Sequence, residues 1–374
     1  MFSKKLAYVV LSGILACSIL AGCGGGKSGE PPKPKVPVYE QIMNDTNLKF
    51  KKVFDLKGNK KAVVVKLDST DLVLSNNYDE KINGTSNRNK IYVNNGPIGT
   101  FTYEIDKNYK LINKGVLKTS SLQKNQISQD GSYLYFVNDV PNKLYQAEVR
   151  AISTNSVSNN VKIELASPAR MTLKMDGGMF VASEGRTGLV INPDMPIDVY
   201  KLSNGKLDQQ PKKNVFPPVG WQSAAYMAKL NYVEMDSDTV YFAGMRQTPS
   251  MGREAVVAAF NTNGKEKYTL AGRHDVSEFK EPSHVISTKS YLVIQEANGY
   301  KMHFFDKRNG TYIATINMND KNLRKELGME GRAFNGVIGI DPKWSDKLIL
   351  LNNIRNKAPE AYLVQIENVV KAAQ

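Results

Sequence analysis

Cysteine is almost missing from this chain. Of 374 residues only Cys17 and Cys23 carry a thiol, and both stand near the start. The long stretch beyond Cys23 therefore holds no disulfide framework, thiol nucleophile, thiolate metal site or c-type haem attachment. Histidine is scarce too. His274, His284 and His303 stand 10 and 19 residues apart, with no i, i+4 pair, which gives a histidine metal centre little support. The Gly-x-Ser-x-Gly turn of serine hydrolases is absent. So are long apolar runs. The one at the start, Leu6 to Leu20, spans 15 residues and is broken by Ser12 and Gly13, short of the roughly 20 that cross a bilayer as a helix. Acid is short against base, 36 residues to 50, for a formal net charge of +14. That excess suits anionic lipid, teichoic acid or lipopolysaccharide. The lysines are dispersed in pairs such as Lys51-Lys52, Lys60-Lys61 and Lys212-Lys213. Such pairs read as solvated turns, and nucleic acid is not an expected partner.

What is present at the start is ordered. Lys4 and Lys5 precede the apolar run, and Leu20-Ala21-Gly22-Cys23 closes it. A positive start, a short apolar core and a small-residue cleavage site are the parts of a secretory signal. A cysteine directly after Leu-Ala-Gly resembles the lipobox of bacterial lipoproteins. The resemblance covers residues 1 to 23. It implies a signal peptide over 1–22, removal of that peptide, and a diacylglycerol on the Cys23 thiol. It also implies a palmitate-type lipoprotein held to the cell membrane on its extracytoplasmic side, or to the outer membrane of an organism that has one. The alternatives are an ordinary secretory signal with a chance cysteine and an uncleaved membrane helix. Gly24 to Val38 is Gly-rich and then Pro-rich, with Pro31, Pro32, Pro34 and Pro37. This reads as a tether with a loose half and a stiffer extended half, and the tether is assigned residues 23–47. Ala21 to Ser28 also matches a phosphate-binding loop loosely. Such a loop needs a strand before it and a helix after it, and Glu30-Pro31-Pro32 supplies no helix.

The body, 48–374, shows no long helical period. Short β-branched and aromatic runs recur between Asn, Asp, Gly and Ser clusters, as strands do. A polar turn leads into Leu72-Val73-Leu74, Tyr133-Leu134-Tyr135-Phe136, Met179-Phe180-Val181, Val240-Tyr241-Phe242, Tyr291-Leu292-Val293 and Leu348-Ile349-Leu350. Strands are also read before these turns: Ala62–Leu67, Asn125–Ile127, Met171–Lys174, Tyr226–Val233, His284–Ile286 and Gly336–Ile340. Asn204-Gly205, Asn263-Gly264 and Asn309-Gly310 mark hairpins, since both residues tolerate positive φ. Four strands per unit of about 50 residues is the signature of propeller blades.

Phe305 to Ile316 and Ser128 to Tyr135 look like blades of the quinoprotein-type and surface-layer-type β-propellers. The resemblance is loose, and the Trp-Asp dipeptide is absent. The expected fold is all-β, a β-propeller of six blades, each a four-stranded antiparallel sheet. Ile91-Tyr92-Val93 could head a seventh blade, but is read as an insertion in the first. Phe50–Phe54 is expected to supply the last outer strand and close the ring. A pair of two-sheet sandwiches is the alternative.

Chemistry is thinly signalled. Asp236 and Asp238 fall short of an EF-hand loop and read as a blade turn. Glu278 and Glu281 read as a solvated loop, and Asn83 and Asn309 as glycosylation-like tripeptides without consequence. Propeller ligands tend to meet residues just before each inner strand. Those are Arg170, Trp221, Gln222, His284 and Arg332, a mix that suits an anionic or sugar ligand. No cofactor is expected. The leading expectation is a non-catalytic binding module for an envelope protein, an anionic polymer or a small ligand, with the lipid bilayer as partner through acylated Cys23. The alternatives are an extracytoplasmic enzyme of lactonase, lyase or sugar dehydrogenase type, which would call for calcium, and an envelope-assembly scaffold.

Overall fold

The computed structural model describes residues 36–74, 82–95, 98–117, 229–236, 238–247, 253–271, 280–331 and 333–368, with strand segments between 126 and 216. Among the described residues no helix is long and apolar enough to cross a membrane.

A short helix, α1 (Val38–Asn44), comes first, so part of the expected tether is folded. Its Ile42 is buried against Val63 and Val65. Two strands follow, β1 (Lys51–Leu56) and β2 (Lys60–Lys66). The first complete sheet is β3 (Gly84–Asn87), β4 (Lys90–Asn94), β5 (Thr100–Ile105) and β6 (Leu111–Leu117). The second is β7 (Gln126–Ile127), β8 (Tyr133–Asp139), β9 (Ala147–Ser153) and β10 (Asn160–Ile163). The third is β11 (Met179–Ser183), β12 (Thr187–Ile191) and β13 (Ile197–Ser203), with β14 (Lys206–Leu207) and β15 (Lys212–Phe216) both on β13. The fourth is β16 (Lys229–Met235), β17 (Thr239–Gln247), β18 (Arg253–Asn261) and β19 (Glu266–Ala271). The fifth is β20 (Pro282–Ser287), β21 (Tyr291–Glu296), β22 (Lys301–Asp306) and β23 (Tyr312–Asn317). After α2 (Lys321–Glu326), the sixth is β24 (Gly336–Ile340), β25 (Lys347–Asn352) and β26 (Glu360–Asn368), completed by β2 and β1.

All these pairings are antiparallel, and they follow sequence order except at the closing sheet and where β15 pairs with β13. The first strands pack in a ring: β3 on β7, β7 on β11, β11 on β16, β16 on β20, β20 on β24, and β24 on β3. Six sheets joined this way among the described residues make a six-bladed β-propeller, which excludes the sandwich alternative. Inner strands approach closely. A Cβ on Gly84 would meet the Ile338 side chain at 2.3 Å, and one on Gly336 would meet Ile82 at 2.7 Å.

Burial runs between neighbouring blades rather than inside one. In β25, Leu348 and Leu350 pack toward the fifth sheet with Val293, Phe304 and Tyr362. Ile349 and Leu351 pack toward the first sheet with Ile91, Val93 and Tyr103. Both faces of such a strand are apolar because both are covered. Each of these side chains contributes roughly 1.5–3 kcal/mol on burial.

Five expectations need correcting. Leu72-Val73-Leu74 is not a strand. It is an apolar connector whose Leu72 packs into the core between the sixth and first sheets, and whose Val73 N–H donates to the Tyr103 hydroxyl at 3.0 Å. Ile91-Tyr92-Val93 is the second strand of the first sheet, not an insertion. Ala62–Leu67 falls on β2, which is the outer strand of the sixth sheet rather than the inner strand of the first. The ring does close with N-terminal sequence, but β26 pairs with β2, from Lys60↔Asn368 to Lys66↔Tyr362. Phe50–Phe54 falls mostly on β1, a fifth strand outside β2. In the third sheet Met179–Val181 opens the first strand, not the second; the expected Met171–Lys174 lies outside the described residues.

The seam between β2 and β26 carries an ion pair. Lys66 Nζ stands 2.6 Å from Glu360 Oε1, with side chains 21% and 6% exposed. Glu360 also accepts from the Glu330 N–H at 3.1 Å and the Asn352 amide at 3.3 Å. Lys66 lies over the Phe50 and Tyr362 rings. Removing the cation leaves a buried carboxylate uncompensated. Lys66→Met is expected to lower unfolding free energy by about 3 kcal/mol in chemical denaturation. Lys114→Met, which breaks the more exposed pair with Glu104, should cost less than about 1 kcal/mol. Equal losses would show that the seam does not depend on this pair.

Candidate functional site

A propeller presents two faces. At one, which we call the entry face, the first strands begin and the second strands end. At the exit face the first strands end. Loops at either face are held by the rigid ring beneath them, which is where binding residues are displayed.

Of the residues expected at the channel mouth, Arg170, Trp221, Gln222 and Arg332 lie outside the described residues, as does Cys23. His274 and Glu278 lie outside them too. His284 is described, and it does not face an open channel. It is 2% exposed, its Nδ1 is 3.2 Å from the Ser283 hydroxyl, and its ring packs on Tyr232 of the fourth sheet at 5.2 Å between centroids. The register slips between Pro282 and His284. A slip of one residue exchanges the faces of a strand, and here it leaves the imidazole in the seam between the fourth and fifth blades.

Below the entry face lies a set of buried polar side chains that was not anticipated. Glu296 closes β21, and His303 of β22, which faces Ile294, reaches it diagonally; their side chains are 1% and 0% exposed. His303 Nε2 is 3.2 Å from Glu296 Oε1, and Nδ1 is 2.8 Å from the Thr315 hydroxyl. The Tyr312 hydroxyl donates to the same Thr315 oxygen at 3.0 Å. The Lys280 backbone N–H donates to Glu296 Oε1 at 3.1 Å. Next to Glu296, the Gln295 amide donates to the Phe334 carbonyl in the approach to the sixth blade, at 2.9 Å. Corresponding positions of other blades also carry buried polar groups: Asn94 at the end of β4 with Asn95 just after it, and Asn352 at the end of β25. A polar residue at the end of an apolar strand is the signal that could have found them.

Burial pushes the Glu296 carboxyl up, but the His303 contact and the Lys280 N–H outweigh it and hold the group below its ordinary value. A carboxylate beside an imidazole can exchange a proton. Here both groups are sealed and turned on each other, so the pair joins β21 to β22 and fixes the loop at Lys280.

The exit face is stitched by its polar turns. Asp236 Oδ1 accepts the N–H groups of Asp238 at 3.2 Å and Thr239 at 3.0 Å. Its other oxygen accepts from the Ser287 hydroxyl at 2.9 Å and from Lys307 at 3.4 Å, both on the fifth blade. Asp346 of the sixth blade accepts from the Thr288 hydroxyl and the Ser290 N–H, each at 2.7 Å. Asp238 turns to the Thr239 hydroxyl, which holds its carboxyl below the ordinary value. Asp236 and Asp238 therefore work as a blade turn. Among the described residues no three His, Cys, Asp or Glu side chains are grouped to hold a metal ion.

No family model matches the chain, and no curated protein does. Among solved structures the chain is similar to a functionally unknown protein from Desulfotomaculum acetoxidans, at 11% identity over 86% of this chain and 92% of that one, with a TM-score of 0.45. It is similar to the WD40 domain of Toxoplasma gondii coronin, at 11% identity over 86% and 90%, with a TM-score of 0.45. A putative 6-phosphogluconolactonase from Bacteroides fragilis aligns at 14% identity over 73% and 81%, with a TM-score of 0.36. At such values the propeller assignment rests on the sheet order and the ring of first strands, and no activity is carried across.

The depressed Glu296 group has a pH consequence. A carboxyl held below its unfolded value contributes stability that is present above that value and lost as pH falls through the folded one. Acid titration of the fold should therefore show a loss of stability beginning near pH 4.5, the ordinary glutamate value, and growing below it. Glu296→Gln should be less stable at neutral pH and show a shallower acid limb. An unchanged limb in thermal melts across this range would remove Glu296 from the acid response.

Proposed function

We propose that this chain is a lipid-anchored extracytoplasmic protein whose propeller binds a partner rather than catalysing a reaction. The observation that carries the anchor is Leu20-Ala21-Gly22-Cys23 at the end of a short apolar run behind Lys4 and Lys5. Two or more acyl chains on one residue hold a protein to a bilayer lastingly, at about 0.8 kcal/mol per buried CH2. The partner class is an envelope protein or an anionic polymer, which the net charge of +14 favours.

The binding reading is supported by how the chemical groups are used. The carboxylate–imidazole pair of the fifth blade is spent on holding strands together. The aspartates of the exit-face turns are spent on stitching blades. A ring of this kind displays its loops on a stiff frame, which suits recognition.

The anchor is tested by growing cells with labelled palmitate. The native chain should take up label and partition into a detergent phase, and its mature product should begin at an acylated Cys23. Cys23→Ser should take up none and keep its leader. A bare thiol on a mature native product would overturn the reading.

A further inference from the structure

The geometry points to one face of the ring as a membrane-docking surface: the exit face around Trp344, with Lys343, Lys289, Arg88 and Lys90, fits a lipid bilayer with acidic headgroups. That a bilayer is at hand rests on the anchor proposed above. The surface itself is argued from the fold.

Trp344 is 67% exposed, the most exposed of the large apolar side chains among the described residues. It does not hang on a loose loop. Its N–H and that of Ser345 both donate to the Asp341 carbonyl at 2.9 Å, and the Ser345 hydroxyl donates to the Ile340 carbonyl. The turn between β24 and β25 thus holds the indole out on a rigid support. Lys343 Nζ lies 5.1 Å from the ring centroid.

Two neighbouring turns bring further cations. The Lys289 N–H donates to the Ser345 carbonyl at 3.1 Å, which places the fifth blade's turn beside that of the sixth. On the other side, the Ser86 hydroxyl donates to the Gly339 carbonyl at 2.6 Å and accepts from the Asp341 N–H at 2.8 Å. That contact brings up the turn carrying Arg88 and Lys90. Arg88, Lys90, Lys289 and Lys343 are exposed. Among the described residues Arg88, Lys90 and Lys289 enter no salt bridge. Of the two acids in the sixth blade's turn, Asp346 is already taken by Thr288 and Ser290, and Asp341 is half-buried.

The start of the described chain stands at the same face. β26 runs toward it, and Glu367, next to its last residue, accepts the N–H groups of Val38 and Tyr39. Val36 stands thirteen positions after Cys23, a reach of at most roughly 45 Å when fully extended. A lipid at Cys23 therefore leaves this face within reach of the surface. Tryptophan settles at the level of lipid headgroups. Each basic residue near an anionic leaflet adds about a fivefold gain in binding, and the gain is screened by salt.

The test uses the chain from Gly24 to Gln374, which has no acyl group, with Trp221→Phe so that Trp344 is the sole tryptophan. It is added to phosphatidylglycerol and to phosphatidylcholine vesicles with brominated acyl chains. Trp344 emission should shift to the blue and be quenched with phosphatidylglycerol alone, and the effect should fade at high salt. Lys289→Gln and Arg88→Gln should each weaken binding about fivefold. Trp344→Ala, in the chain with Trp221 intact, should co-sediment less with the same vesicles. Unquenched Trp344 on phosphatidylglycerol, even with co-sedimentation, would overturn the proposal, since charge alone would then account for the binding. Unchanged binding of the Trp344→Ala and Lys289→Gln variants would do the same. The mass of Cys23 from cells separates the two readings. An acylated Cys23 with an unquenched Trp344 sinks docking only, and a bare Cys23 with a quenched Trp344 sinks the anchor only.

Discussion

The pairing of β2 with β26 is the constraint on which the rest of this molecule depends. It joins residues near the two ends of the chain in one seven-pair antiparallel register, Lys60↔Asn368 to Lys66↔Tyr362. Without it the sixth sheet would stop at β26 with an unpaired edge, and an unpaired edge recruits other strands. With it each described blade has covered neighbours, and apolar strands such as β25 can bury both faces. Lys66 and Glu360 sit at the entry end of this register, and the β1–β2 turn lies at the exit end. The seam is thus fastened by backbone pairing along its length and by charge at one end.

The polar groups of the ring divide by depth. Those in the exit-face turns bridge adjacent blades: Asp236 to Ser287, and Asp346 to Thr288. Below the entry face, Glu296 with His303 and Glu360 with Lys66 bind strands within a blade, while Gln295 reaches the Phe334 carbonyl of the next. A buried charge is tolerated where it is paired and hydrogen-bonded, and these are. The result is a frame with little polar chemistry left over in its described interior. Recognition then falls to the loops, and Trp344 is the plainest example of a side chain that the frame holds out and the core does not use.

The all-β class, the unit length and several hairpins were legible in the sequence because they are local. Asn309-Gly310 is a case: Gly310 adopts φ +74, as a hairpin turn needs. Strand β24 coincides with the expected Gly336–Ile340. Phase was harder. Leu72-Val73-Leu74 follows a polar turn as the real strands do, yet it covers a core without pairing. An apolar triplet has the same pattern whether it hydrogen-bonds to a neighbour or only packs on one. The partner of β2 lies some 300 residues away, beyond anything periodicity records. His284 was read by its position before an inner strand, and a one-residue slip in register turned it inward. Glu296 and His303 were missed as a pair because their meeting depends on the register of β21 with β22, where Ile294 faces His303.

The seam also sets an order of events. Synthesis delivers the N-terminal end first, so β2 exists long before the strand it must join. Until β26 has emerged, the hairpin of β1 and β2 has no sheet to complete, and every blade between them waits on an open arc. Long-range pairings of this kind are slow to form, and such half-built states are prone to aggregate. The strand that seals the ring is therefore the last in its six sheets to be made, and a chain cut before β26 would leave the arc open.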